Sequence, residues 1–166
     1  MRYSIGDKVV HPMHGAGTVE DIKEIDIEGR KVLYYELNFA YGNMVTNIPV
    51  DNVDKIGIRE VISPNDAKKV IENFCTYEVQ IDNNWNKRQR ENIVKIKSGD
   101  IYTVLGVLKE LMYRERTKGL STSERKTMGA AKQIVISEIV MSGFADLNSV
   151  EEIMNDSIEM MLEENN

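Results

Sequence analysis

The sequence predicts an α+β fold, with a small antiparallel β barrel over residues 1–62 and an all-α helical part over residues 63–166. Between Lys8 and Val61 apolar and polar residues alternate with the period of strands. After Ser63 the apolar positions recur three and four residues apart, the period of a helix. Glycines fall where strands must turn, and Ser, Asp and Pro where helices must start. A chain of 166 residues is long enough to bury roughly two thirds of its extended surface.

The first strand is Lys8-Val-Val-His11, short and β-branched. In the next, Val19, Ile22, Ile25 and Ile27 alternate with charges, and a phase slip between Val19 and Ile22 predicts a bulge. Glu28-Gly29-Arg30 reads as a hairpin turn, with Gly29 free to take positive φ. Residues 31–39 form a strand whose inward face is Leu33, Tyr35, Leu37 and Phe39. A turn over 40–43 leads to a strand that ends at Pro49. A barrel of about 60 residues is near the lower limit of independent stability and should lean on its neighbour.

The helical part opens at Ser63-Pro64, a cap followed by a proline at the first helical position, and its first helix runs to about Phe74. A polar connector over 75–84 precedes a helix over about 86–97, stopped at Ser98-Gly99. Asp100 caps the next helix, whose apolar face is Ile101, Val104, Leu105, Leu108, Leu111 and Met112, and which stops at Lys118-Gly119. Ser121 to Glu124 is a capping box opening a helix apolar through Ile134 to Met141, expected to be central and buried. Ser149 is expected to open the last helix, which carries Val150, Ile153, Met154, Ile158, Met161 and Leu162 and ends in a frayed tail from Glu163 to Asn166.

No apolar run approaches the roughly 18 residues of a membrane span. The first ten residues lack the apolar run of a signal peptide. The single cysteine, Cys75, makes no internal disulfide and supports no thiolate zinc site, so a reduced, cytoplasmic protein is expected. The net charge of −6 hides an asymmetry. Residues 85–132 carry 12 basic and 5 acidic side chains, while residues 138–166 carry 8 acidic and no basic ones. A basic middle attracts a polyanion locally, although three solvated helix faces of differing sign produce the same count.

Enzymatic signals are poor. His11 and His14 flank Pro12 without further ligands at metal spacing, and read as turn residues. Gly15-Ala16-Gly17 lacks the Gly-Lys-Ser/Thr ending of a phosphate loop and reads as a strand bend. Cys75 has no histidine partner in a nucleophile signature. No cofactor, metal site or catalytic residue is therefore expected. The informative stretch is Asn83 to Arg90, where the only tryptophan, Trp85, is followed by Lys87, Arg88 and Arg90. An aromatic beside cations suits nucleic acid: the ring stacks on or wedges between bases and the cations neutralise phosphates. Ile96 lies in line with Trp85 three turns on, so a core tryptophan is the competing reading. Arg125, Lys126 and Lys132 form a second basic group, near the helix start at Ser121.

These residues carry a resemblance. "IGDKVVHPMHGAGTVEDI", the Gly-centred hairpin, "NIPV", "IREVIS", "NNWNKRQRENIVKIKSGD" and "VLGVLKELMYRERTKGLSTSERKTMGAAKQIVISEI" resemble, in order and spacing, the CarD/CdnL bacterial transcription regulators. The first domain is also shared with transcription-repair coupling factor, whose length and content this chain does not match. The resemblance covers nearly the whole chain. It implies a Tudor-like (SH3-like) barrel that binds the RNA polymerase β subunit. It implies a helical domain that reaches promoter DNA at the upstream edge of the melted bubble, in the minor groove. By the same resemblance Trp85 is the wedge at that junction. Lys87, Arg88, Arg90 and Arg125 match family basic residues, with Lys126 and Lys132 close by. Ile25, Asp26, Ile27 and Asn47 fall on the polymerase-facing strands. There Ile27 matches the family, whereas Ile25 and Asn47 stand where some members carry basic residues. The resemblance leads to a monomeric factor that stabilises the open promoter complex. A protein-interaction adaptor without DNA contact is the alternative, favoured if Trp85 is packed inside the helices.

Overall fold

The computed structural model describes residues 1–39, 41–80 and 82–165. Ala40 of the expected 40–43 turn, Ile81 of the connector and Asn166 of the tail lie outside the described residues. Five strands, β1 (Lys8–His11), β2 (Gly15–Ile27), β3 (Arg30–Phe39), β4 (Met44–Pro49) and β5 (Arg59–Glu60), form one antiparallel sheet in the order β4-β3-β2-β1-β5. A 3₁₀ turn over Val50–Asn52 and a one-turn helix α1 (Val53–Ile56) link β4 to β5. Then come α2 (Pro64–Thr76), α3 (Trp85–Ile96), α4 (Ile101–Thr117), α5 (Thr122–Met141) and α6 (Leu147–Glu164).

The phase slip is a bulge: the β2–β3 register shifts between Val19 and Asp21. At the hairpin tip both Glu28 (φ 52°) and Gly29 (φ 82°) are left-handed, the geometry whose twist matches the flanking strands. Tyr35, Leu37 and Phe39 point inward as expected and join Tyr3, Val9, Val19, Ile48, Val53 and Ile58 in one core. Leu33 does not. It is 41% exposed, because the β2–β3 hairpin runs past the end of that core.

The helices enclose a second, larger core built on α4 and α5, with Phe74, Leu105, Leu108, Leu111, Ile136 and Ile139 among its fully buried side chains. The caps fall at Ser63, Asn84, Asp100, Ser121 and Asp146. Asp146, not Ser149, opens α6: its carboxylate accepts from the Ser149 backbone N–H at 2.8 Å, so the helix opens three residues before the expected position. Cys75, on α2, is exposed.

The two cores meet along α5, on polar contacts that an apolar helix would not reveal. Ser137 Oγ accepts from the Ala16 N–H at 2.8 Å, and Gln133 Nε2 donates to His14 O at 3.1 Å. Buried Glu138 takes the Arg59 guanidinium at 2.6 and 2.7 Å and the Ile62 N–H at 3.0 Å. Gly15 is required here twice over. Its φ is 82°, and a Cβ would lie 2.4 Å from both Gln133 O and Ser137 Oγ.

Candidate nucleic-acid interface

Asn84 starts α3 by accepting the Lys87 N–H at 3.1 Å, which places Trp85 at the first helical position. The inward stripe of α3 is Arg88, Asn92 and Ile96, four residues apart and mostly polar. Trp85 lies at the open end of that stripe and is 44% exposed. Its indole N–H donates to Ser121 Oγ at 3.3 Å, the capping oxygen of α5. Ser121 Oγ also accepts the Glu124 N–H at 3.2 Å, closing the α5 capping box, and its hydroxyl donates to Glu124 Oε1 at 3.4 Å. Behind it, Arg88 donates to Glu124 through Nε at 3.0 Å and Nη2 at 3.2 Å, and to Asp82 O through Nη1 at 2.8 Å. The chain Trp85–Ser121–Glu124–Arg88 thus ties the tryptophan to two helices.

Arg88 is corrected by this geometry. The expectation was a cation free to meet a phosphate. It is 6% exposed, and its charge is spent on Glu124, so it supports Trp85 instead. Burial on its own would raise the Glu124 carboxyl, but the hydrogen bonds and charge of Arg88, with Arg114 nearby, hold it below its usual range. The basic middle is thinned further. Lys109 is buried, with Nζ on Cys75 O and Tyr77 O at the end of α2, and Arg116 pairs with Glu159.

The other candidates divide by position. Arg125 is exposed one turn into α5, at the same end as Trp85. Lys132, half-buried, lies seven residues on along the Arg125 face. Lys126 lines a shallow groove between α3 and α5 with Ile93, Lys97 and Met13 of the β1–β2 turn. Arg90 is exposed on the outer side of α3, and Lys87 pairs with Asp82 at 3.1 Å while staying exposed. Ser121 and Glu124 were not among the candidates. Their signal was the capping box, read only as a helix start.

On the sheet, Ile25 and Asn47 lie across β3 from Val32 and Glu36, so with Ile27 they share the face opposite Tyr35 and Leu37. The same face carries the Lys23–Glu36 pair at 2.9 Å. Asp26 is on the other side, its carboxylate accepting the Gly29 N–H at 2.9 Å to close the turn. β4 is an edge of the sheet. His11 and His14 stack 4.4 Å apart, and burial, then the neighbouring His14, pushes His11 down to about 4. Among the described residues no group of three or more His, Cys, Asp or Glu is placed to hold a metal, and no helix is long and apolar enough to cross a membrane.

A sheet with its own core is thus docked on a helical core that presents one exposed, anchored tryptophan. Residues 3–62 match the CarD-like/TRCF RID domain and residues 69–155 the CarD C-terminal domain. The chain is 33% identical over 145 residues to a protein of Bacillus subtilis (strain 168) named "Putative transcription factor YdeB", covering 87% of this chain and 95% of that one. The chain belongs to the CarD family of transcription factors.

Proposed function

We propose that the protein binds the RNA polymerase β subunit through residues 1–62 and stabilises the open promoter complex through residues 63–166. The N-terminal sheet acts as a Tudor-like module in this reading, with Ile25, Ile27 and Asn47 on the polymerase side and the β4 edge available for backbone pairing. Asp26 shapes the hairpin that carries them. The protein works as a cytoplasmic monomer, without enzymatic chemistry or cofactor.

The observation that carries the proposal is Trp85: large, apolar, 44% exposed and tethered at its indole nitrogen. A ring held this way replaces stacking lost at the upstream edge of the bubble, from the minor groove. Arg125, Lys126 and Lys132 on α5, with Lys87 and Arg90 on α3, neutralise the flanking phosphates. Such contacts read no base edges, so promoter choice stays with polymerase. Trp85 is not packed inside the helices, which favours DNA contact over a pure adaptor. The test is the lifetime of open complexes on purified cognate polymerase. Adding the protein is expected to lengthen it several-fold; an unchanged lifetime with polymerase demonstrably bound would refute the reading.

A further inference from the structure

We propose that the cleft between α3, α4 and the connector residues Tyr77, Gln80 and Asp82 is a binding site for a phosphate group. The cleft has a volume of about 400 Å³, within the usual range of small-ligand sites. Asn92 and Lys95 of α3 face it, as do Glu110 and Arg114 of α4. Among the described residues three buried polar atoms here have no hydrogen-bond partner: Asn92 Nδ2, Arg114 Nε and Arg114 Nη1. Asn92 is 3% exposed. All three are donors, so the missing partner is an acceptor.

The ion pair behind the cleft points the same way. Glu124 faces two guanidinium groups. It bonds Arg88 at 3.0 Å, whereas Arg114 Nε stays 4.0 Å away, beyond hydrogen-bond reach. Arg114 Nε is thus left beside a carboxylate already taken by Arg88, without an acceptor of its own. The acidic groups lining the cleft do not supply it. Asp82 is held by Lys87 at 3.1 Å, and Glu91 is exposed. Glu110 accepts the Tyr77 hydroxyl at 3.0 Å, and burial raises its carboxyl against the Tyr77 hydrogen bond and the Lys95 charge, which lower it. A phosphate offers several acceptor oxygens to donors arriving from two helices, and Lys95 lies on the same lining, near Glu110. The source is either free phosphate or the phosphate of a nucleotide.

The full-length protein would be titrated separately with inorganic phosphate, adenosine monophosphate and adenosine, against chloride at equal ionic strength. The readouts are NMR shifts of the Asn92 side-chain amide and Arg114 Nε–H, and the melting temperature. Saturable shifts and a raised melting temperature are expected with phosphate. Tighter binding of the monophosphate identifies a nucleotide, and equal binding identifies the phosphate alone. Asn92→Leu and Arg114→Met should each weaken binding about tenfold or more, the loss of a hydrogen bond to a charged group. Unliganded, Asn92→Leu should melt no lower than the parent, since it removes an unpartnered donor, which separates weakened binding from lost folding. Shifts no larger than those with chloride, adenosine binding as well as its monophosphate, or undiminished binding by Arg114→Met would each overturn the assignment.

Discussion

Arg88 and Trp85 lie three residues apart and do opposite things. Arg88 is enclosed and satisfied, so removing either it or Glu124 strands a buried charge. Arg88→Ala or Glu124→Ala should therefore cost about 3–5 kcal/mol in urea unfolding. Arg125→Glu, on the exposed face, should leave stability within about 0.5 kcal/mol. A second residue-scale expectation concerns pH. Burial keeps His11 neutral down to about 4, with His14 lowered in the same direction, against an ordinary value of 6.5. Between those values the unfolded chain binds more protons than the folded one, so stability must fall as pH drops from 6.5 towards 4. Glu124 adds to this at lower pH: its depressed carboxyl supports the fold fully above 4.5, and that support is lost as pH falls through the folded value. His11→Gln should flatten the first part of the melting temperature–pH curve, and an unchanged slope would dispute the assignment.

At the scale of elements, α5 is the spine on which both cores and the tryptophan anchor depend. Its seat against β2 leaves no room at Gly15, where any side chain is both strained and in collision with helix backbone. Gly15→Ala should lower stability by more than about 1 kcal/mol and expose the Ala16 amide to hydrogen exchange, because the Ser137 contact parts. Gly29→Ala, at a solvated tip, has the same φ but nothing to strike, and separates strain from collision. Much of this level was legible in the sequence: the bulge before Ile22, the caps at Ser63, Asp100 and Ser121, and the apolar run of α5 all follow from period and cap chemistry. What was not legible depends on distant partners. Leu33 alternates correctly but outruns the core beneath it. Arg88 sits in a basic run, yet its fate is set by Glu124, 36 residues on. Ser137 and Glu138 look out of place on an apolar helix until Ala16 and Arg59 arrive against them.

Over the whole molecule, charge is segregated less strongly than composition suggests, because Arg88 and Lys109 are spent on buried contacts. That leaves a few exposed cations around Trp85, opposed by the acidic α6. DNA binding without polymerase should be weak. Each phosphate contact contributes a slope of about 0.9 in log affinity against log salt, so Arg125→Glu should reduce the slope by about 1 and leave polymerase binding intact. In the proposed function the two cores have separate tasks joined by α5, one at polymerase and the other at the bubble edge. The division rests on Trp85 acting at the DNA and not in the core. A core tryptophan replaced by alanine costs about 3–5 kcal/mol, whereas a wedge costs little stability and much activity. The deciding measurement is the open-complex lifetime on purified polymerase with Trp85→Ala and Trp85→Phe, alongside their melting temperatures. The account predicts an alanine variant that melts within a few degrees of the parent yet shortens the lifetime several-fold, with phenylalanine in between. An alanine variant that unfolds, or one that is stable and fully active, would contradict it.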